Sequence, residues 1–256
     1  MNKTNHRKID RTGEEGYNNF GSKIIIEKYE SARDIDVYFP EYNWTCYHTK
    51  YLDFKRGSIA CPYEPKTLGI GYIGEGLYKS KEDKVETKQY RAWYHMLRRC
   101  YDTKYKEKHL TYENCSVCEE WLNFQNFAKW FDDNYYEILE EEMNLDKDIL
   151  VKGNKEYGPN TCVFVPEKIN ILFIKHDTKR GQCPIGVTRS GNKYQVKCNL
   201  NKEPKYLGRY DTKEEAFLVY KTFKESAIKQ MADQYRDLIP EKLYSAMYEY
   251  EVDIND

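Results

Sequence analysis

The chain has 256 residues, room for two or three small domains. With 40% hydrophobic and 32% charged residues and a net charge of −1, its overall charge does not mark a nucleic-acid binder. No run approaches the roughly 20 apolar residues of a membrane span, and the polar start Met1-Asn2-Lys3-Thr4-Asn5 lacks the apolar stretch of a secretory signal. Eight cysteines scattered among charged stretches do not form a compact secreted disulfide framework, so the expectation is a cytoplasmic protein with reduced thiols. Tyrosine is the outlier, at 25 residues; its apolar body and polar tip suit small domains and wet interfaces.

Residues 1–20 are polar and aperiodic and read as a flexible leader. Strand patterns begin with Ile24-Ile25-Ile26 and continue in Ile35-Asp36-Val37-Tyr38-Phe39, which alternates at period two. Tyr42 to Phe54 is aromatic-rich and extended, and Lys55-Arg56-Gly57 reads as a turn, so residues 21–66 predict a small antiparallel, barrel-like β module. Gly69-Ile70-Gly71-Tyr72-Ile73-Gly74 matches a dinucleotide-binding glycine pattern, but Glu75-Gly76 and a lysine-rich stretch follow where that motif needs a helix. Residues 67–88 are read as a flexible linker.

Helical spacing returns at residues 88–101, with Tyr90, Trp93, Leu97 and Cys100 on one face and Arg91, Arg98 and Arg99 elsewhere. A second helix is expected from about Glu119 to Phe131, with Trp121, Phe124, Phe127 and Phe131 in one stripe. Both stripes read as core that braces the segment after Asn144. Cys115-Ser116-Val117-Cys118 is a CxxC flanked by Cys100 and Cys162. A tetrahedral zinc takes four soft ligands, commonly as two such pairs. Cys100, Cys115, Cys118 and Cys162 are therefore a candidate zinc set, with buried free thiols as the other reading, because Cys162 lacks a partner three residues away.

The central segment runs Asn144-Leu145-Asp146-Lys147-Asp148-Ile149-Leu150, then Gly153-Asn154, then Pro159-Asn160-Thr161-Cys162-Val163-Phe164-Val165-Pro166-Glu167-Lys168-Ile169-Asn170. It reads as a strand ending in carboxylates, a polar loop, a second short strand and a helix opening at Pro166. If the helix packs back on the hairpin, Asp146 and Asn170 converge as two hard oxygen ligands. The segment resembles the ββα-metal core of HNH nucleases, especially those of phage homing endonucleases and phage Holliday-junction resolvases. By position, the resemblance makes Asp146 and Asn170 the ligands of Mg²⁺ or Mn²⁺ and puts Asn160 or Thr161 in the place of the middle asparagine. Where that family has its general-base histidine, this chain has Lys147. A lysine with an ordinary pKa of about 10.4 is protonated at neutral pH and takes no proton from water, unless burial beside the metal depresses it. Asp148 and His176 are the nearest other candidates for the base.

Further on, Ile185 to Arg189 reads as a strand, Ser190-Gly191-Asn192 as a hairpin turn, and Lys193 to Leu200 as a strand with polar odd positions and mainly apolar even ones. Tyr206-Leu207-Gly208-Arg209-Tyr210 is a third strand, and Thr212 with Glu215 forms a capping box. The helix it opens is expected to bury Ala216, Tyr220, Phe223, Ala227 and Met231. From Lys179 to Arg209 eight basic residues face one acidic residue, Glu203. This module resembles the DNA-binding domain of plant ethylene-response factors (the APETALA family), whose sheet lies in the major groove. The resemblance implies double-stranded DNA contacts from Arg189, Lys193, Gln195, Lys197 and Arg209.

The predicted fold is α+β and multidomain. A β-barrel-like module spans 21–66, an HNH-like ββα-metal domain 89–177, a three-stranded sheet plus helix 182–237, and an acidic tail 238–256. The two resemblances imply a phage-type, divalent-metal-dependent endonuclease that nicks DNA in the bacterial cytoplasm, with double-strand breaks requiring a homodimer. Lys147 favours the alternative of a catalytically inactive DNA-binding protein on the same scaffold, a phage regulator or an inhibitor of host defence. The tyrosine-rich surface and acidic tail leave a protein partner open.

Overall fold

The computed structural model describes residues 9–174, 183–200 and 203–254. The fold is mixed α+β with several small sheets and no closed barrel. The chain divides into two compact units, Met1–Tyr94 with Glu119–Ala128, and His95–Cys118 with Lys129–Asp256. No helix among the described residues is long and apolar enough to cross a membrane.

The first unit is built on a four-stranded antiparallel meander of β1 (Glu15–Tyr17), β2 (Lys23–Ser31), β3 (Asp34–Phe39) and β4 (Trp44–Thr49). Period-two alternation turns Ile24, Ile26, Ile35, Val37 and Phe39 inward, each 1% exposed or less. The barrel expectation is corrected: four short strands are too few to close, and β1 and β4 remain edges. The inner face is covered instead by Phe54, Ile59 and Cys61. Phe54 lies on a helix, α1 (Tyr51–Arg56), where the sequence suggested continued extension. Gly57 ends α1 at φ 64°, its N–H donating to the Asp53 and Phe54 carbonyls. Part of the expected leader is built into the sheet. Its polar run contains β1, and Asn18 is buried, its amide donating to the Ile59 carbonyl at 3.2 Å and to Glu64.

The glycine-rich stretch opens no helix. Tyr72 instead exchanges backbone bonds with Leu122 and Phe124. Within the expected linker, β5 (Lys81–Glu82) and β6 (Val85–Glu86) form a hairpin whose two turn residues, Asp83 and Lys84, both have positive φ. Helix α2 (Lys88–Tyr101) follows, then the short α3 (Thr103–Lys108), β7 (Ser116–Val117) and α4 (Phe124–Asn134). The aromatic stripes are core, as expected. In the first unit Trp93 donates its indole N–H to the Trp121 carbonyl at 2.7 Å and packs on Phe124. In the second unit Met96, Leu97, Cys100 and Phe131 are buried.

The second unit contains β8 (Met143–Asp146), β9 (Glu156–Tyr157), β10 (Val163–Pro166) and α5 (Glu167–Phe173), then β11 (Val187–Ser190), β12 (Lys193–Leu200), β13 (Glu203–Tyr210), α6 (Lys213–Tyr235) and α7 (Glu241–Tyr248). β8 and β10 pair antiparallel, and α5 packs on both. β7 and β9 pair in parallel. β11, β12 and β13 form the expected antiparallel sheet, with α6 against it. Thr212 caps α6, its hydroxyl accepting from the Glu215 N–H at 3.2 Å.

Two expectations are corrected here. The buried row of α6 is Ala216, Tyr220, Lys224, Ile228 and Ala232, one residue on from Phe223, Ala227 and Met231 over its later turns. The face rotates because the C-terminal half of α6 packs on α7 rather than on the sheet. Residues 241–248 of the expected tail are that helix α7, whose Leu243 and Met247 are fully buried against the core of Ile169, Leu172, Ile228 and Ala232.

Candidate nucleic-acid interface and metal ligands

β8 ends at Asp146, opposite Val163. There the chain turns sharply, and Asp146 Oδ1 accepts two backbone N–H bonds, from Asp148 at 2.8 Å and Ile149 at 2.7 Å. This is an aspartate acting as a turn former. Burial pushes its carboxyl up to about 6, and the Asp148 charge adds to that; the two amides and Lys147 pull the other way.

Lys147 is buried at 6% exposure, with Nζ 3.3 Å from Asp148 Oδ2 and 5.9 Å from the centre of the Tyr157 ring. The Asn154 amide donates to the Lys147 and Glu156 carbonyls, both at 2.7 Å, and pins the loop. Beneath the hairpin, Arg99 Nη1 donates to the Leu145 carbonyl at 3.0 Å and to the Tyr157 hydroxyl at 3.2 Å. Burial works against the Arg99 charge, but Tyr157 and Tyr112 outweigh it and hold its pKa above the usual value. Of the charged neighbours acting on Asp146, the Asp148 carboxylate outweighs the Lys147 ammonium. Trp130 and Phe131 pack on Phe164, so α4 braces the hairpin as the stripe suggested.

The other residues carried over from the nuclease resemblance are distributed unevenly. Asn170 is half-buried on α5, so it shares one ββα unit with Asp146. Asn160 is exposed in the turn before β10, while Thr161 closes that turn by donating to the Glu156 carbonyl at 3.0 Å. Asp148 is engaged by Lys147. His176 lies outside the described residues. A Mg²⁺-type ion needs only one or two protein oxygens. Asp146 Oδ2, which is free of the turn bonds, and the Asn170 carbonyl oxygen are the atoms that would hold it.

The four cysteines of the candidate zinc set do not group. Among the described residues no three of the sulfurs of Cys100, Cys115, Cys118 and Cys162 lie within 4.8 Å of one another. Cys115 acts electrostatically on Cys100, and Cys118 on Cys162. Burial pushes the Cys100 and Cys162 thiols up to about 12.

One group of three potential ligands does converge, in the first unit, and sequence reading missed it. Asp34, Asp36 and His48 offer ligand atoms all within 4.8 Å of one another. Asp34 and Asp36 share a face of β3 by alternation, and the ladder shifts register between Ile35 and Val37. His48 sits opposite that irregularity at φ 54°, its N–H donating to Asp36 Oδ1 at 3.0 Å and its Nδ1 3.0 Å from Asp34 Oδ1. The Asp-x-Asp spacing was the visible signal; the bulge that delivers His48 was not.

The C-terminal sheet sorts its polar residues by register. Thr188 pairs with Gln195, and Gln195 with Arg209, placing all three on one outward rung. Ser190 pairs with Lys193, and Lys197 with Tyr206 across a bulge, on the same outward face. Val187, Val196 and Cys198 point the other way, into the core. Lys193, Lys197 and Arg209 are exposed, and Tyr206 is 54% exposed beside them. Arg209 Nη2 donates to Ser190 Oγ, and Lys193 pairs with Asp211 at 3.0 Å. Arg189 departs from the expected set: it pairs with Tyr194 on the opposite face, and its Nε donates to the Gly191 carbonyl at 3.4 Å. Lys205 also faces away, with Nζ 4.8 Å from the centre of the Phe223 ring.

Comparison with family models, with curated proteins and with solved structures gives no match to this chain.

Proposed function

We propose that this protein binds double-stranded DNA through the outward face of β11–β13. The observation that carries the reading is the alignment of Lys193, Gln195, Lys197 and Arg209 on one outward face, where a neighbouring carboxylate, Asp211, is neutralised by Lys193 at 3.0 Å. A B-DNA major groove of about 12 Å admits a narrow β-ribbon. Arginine and glutamine present donor and acceptor patterns that match guanine and adenine edges, and lysines neutralise phosphate. The test is a gel-shift titration at several salt concentrations with wild type and the Lys197→Ala, Arg209→Ala double variant. Salt-steep binding by wild type and its loss in the double variant support the reading. Equal binding by both moves the interface elsewhere.

A second reading, metal-dependent nicking of DNA by the ββα unit, is favoured by one arrangement: Asp146 at the end of β8 and Asn170 on the helix that packs on that strand. Mg²⁺ or Mn²⁺ held there would polarise a scissile phosphate. Lys147 argues for the retired-scaffold form instead, since it stands where the general-base histidine would be and pairs with Asp148 at 3.3 Å. A nicking assay on supercoiled plasmid with Mg²⁺ or Mn²⁺, comparing wild type with Asp146→Ala, decides. Metal-dependent nicking lost in the variant establishes the nuclease, while DNA binding without nicking leaves the scaffold non-catalytic.

A further inference from the structure

Asp34 and Asp36 stand two residues apart on β3, and alternation turns both outward, away from the buried Ile35 and Val37. The edge strand β4 then departs from the ladder. Ile35 pairs with Thr49 and Val37 with Cys46, so Tyr47 and His48 together stand opposite Asp36. A bulge of this kind re-aims a side chain. Here it delivers His48 to the two carboxylates, its N–H donating to Asp36 Oδ1 at 3.0 Å and its Nδ1 lying 3.0 Å from Asp34 Oδ1. One ligand atom from each of the three residues falls within 4.8 Å of the other two.

These spacings suit a single ion. Donors held about 2.1 Å from a metal stand about 3.0 Å apart at a right angle and about 3.4 Å apart in a tetrahedron. The imidazole and Asp34 already meet that spacing, and Asp36 has a second oxygen besides the one engaged by the His48 N–H. With Nδ1 turned to the ion, a neutral imidazole carries its proton on Nε2. The His48 side chain is 80% exposed, so water accepts that proton's hydrogen bond. The surrounding charge points the same way. Lys28 stands opposite Asp36 on β2, but its ammonium pairs with Glu30 at 3.1 Å, so Glu30, Asp34 and Asp36 share the charge of Lys28. A further carboxylate, Glu27, accepts from the Thr45 hydroxyl at 3.0 Å.

We propose that Asp34, Asp36 and His48 bind a divalent first-row transition-metal ion, of the Mn²⁺ to Zn²⁺ series, with water completing its shell. An imidazole nitrogen beside two carboxylate oxygens favours these ions over Mg²⁺ and Ca²⁺, which take all-oxygen sets. Bound there, the ion ties β3 to the edge strand β4. Three ligands on an open surface leave it exchangeable, so it is lost in purification and restored by adding the metal. The site uses no residue of the ββα unit or of the DNA-binding face.

Co²⁺ is the probe, titrated calorimetrically into the full chain in excess Mg²⁺, which fills all-oxygen sites. Wild type is expected to bind one equivalent saturably, without the sulfur-to-metal charge-transfer absorption that cysteine ligation produces. His48→Gly suits the backbone at φ 54° and keeps the N–H to Asp36, but lacks the imidazole. It is expected to weaken binding more than about tenfold, since loss of even an outer partner of a metal ligand costs that much. Asp34→Asn combined with Asp36→Asn is expected to abolish binding. No saturable binding by wild type, binding that His48→Gly leaves unchanged, or charge-transfer absorption at one equivalent overturns the proposal. If the double variant does not fold, Co²⁺-soaked wild-type crystals decide: an anomalous cobalt peak at bonding distance from Asp34, Asp36 and His48 supports the site. Cobalt found only elsewhere in such crystals rejects it.

Discussion

Gln195 and Arg209 stand opposite each other on β12 and β13, and both point away from the core. Adjacent strands are about 4.8 Å apart, so the two side chains can reach neighbouring base edges in one groove. If the outward face reads DNA, Arg209→Ala is expected to cost about 1–3 kcal/mol at the preferred site and to relax its sequence choice. Lys197→Ala is expected to weaken all sequences alike and to flatten the salt slope by about 1. Arg189→Ala, on the other face, should leave binding unchanged. Quantitative gel shifts at three salt concentrations check all three.

Asp146 makes stability depend on pH in a stated direction. Its folded pKa, about 6, is above the ordinary carboxyl value of 3.8. The favourable contribution is therefore complete below about 3.8 and is lost as pH rises through about 6. Asp146→Asn keeps an oxygen to accept the Asp148 and Ile149 amides but carries no charge. Relative to wild type, the Asn variant is expected to gain stability as pH rises from 4 to about 6.5, read from urea midpoints. Asp146→Ala leaves both amides without their acceptor and is expected to cost about 1–2 kcal/mol.

Gly186 permits the close approach of the sheet to α6. It has φ +75°, and a Cβ there would stand 2.0 Å from the Tyr220 ring. Gly186→Ala combines left-handed strain with overpacking and is expected to cost about 2–4 kcal/mol. Adding Tyr220→Leu should recover part of that loss, because only the steric share is relieved. Thermal denaturation of the single and double variants measures the coupling.

The cysteine pairs yield a prediction about metal content. With no three of the four sulfurs grouped among the described residues, purified protein is expected to carry no stoichiometric zinc. Native mass spectrometry checks this; one zinc per chain, lost on Cys115→Ser, would restore the four-cysteine site. Thiol titration of the folded protein should find Cys46 and Cys183, both half-buried, reacting before the buried Cys100 and Cys162.

The features readable in advance were those set by local rules. The polar and apolar alternation of β12 is a property of eight consecutive residues, and the Thr212 cap needs only Glu215 three positions on. The tryptophan and phenylalanine stripes of α2 and α4 likewise follow from helical spacing and the area those rings must bury. β1 was hidden because three residues are too few to show a period, and α1 because aromatic residues suit strand and helix alike.

By itself, then, the amino-acid sequence determined the aromatic helices α2 and α4, the ββα connection that carries Asp146 and Asn170, and the three-strand-then-helix order around the basic strand at Lys193–Leu200. Tertiary structure decided which way residues face and which of them meet. Strand register turned Arg189 away from Gln195 and Arg209, and a bulge brought His48 to Asp34 and Asp36. The packing of α7 on α6 rotated the buried row onto Lys224. Each of these depends on contacts between residues distant in the chain, and no local pattern encodes them.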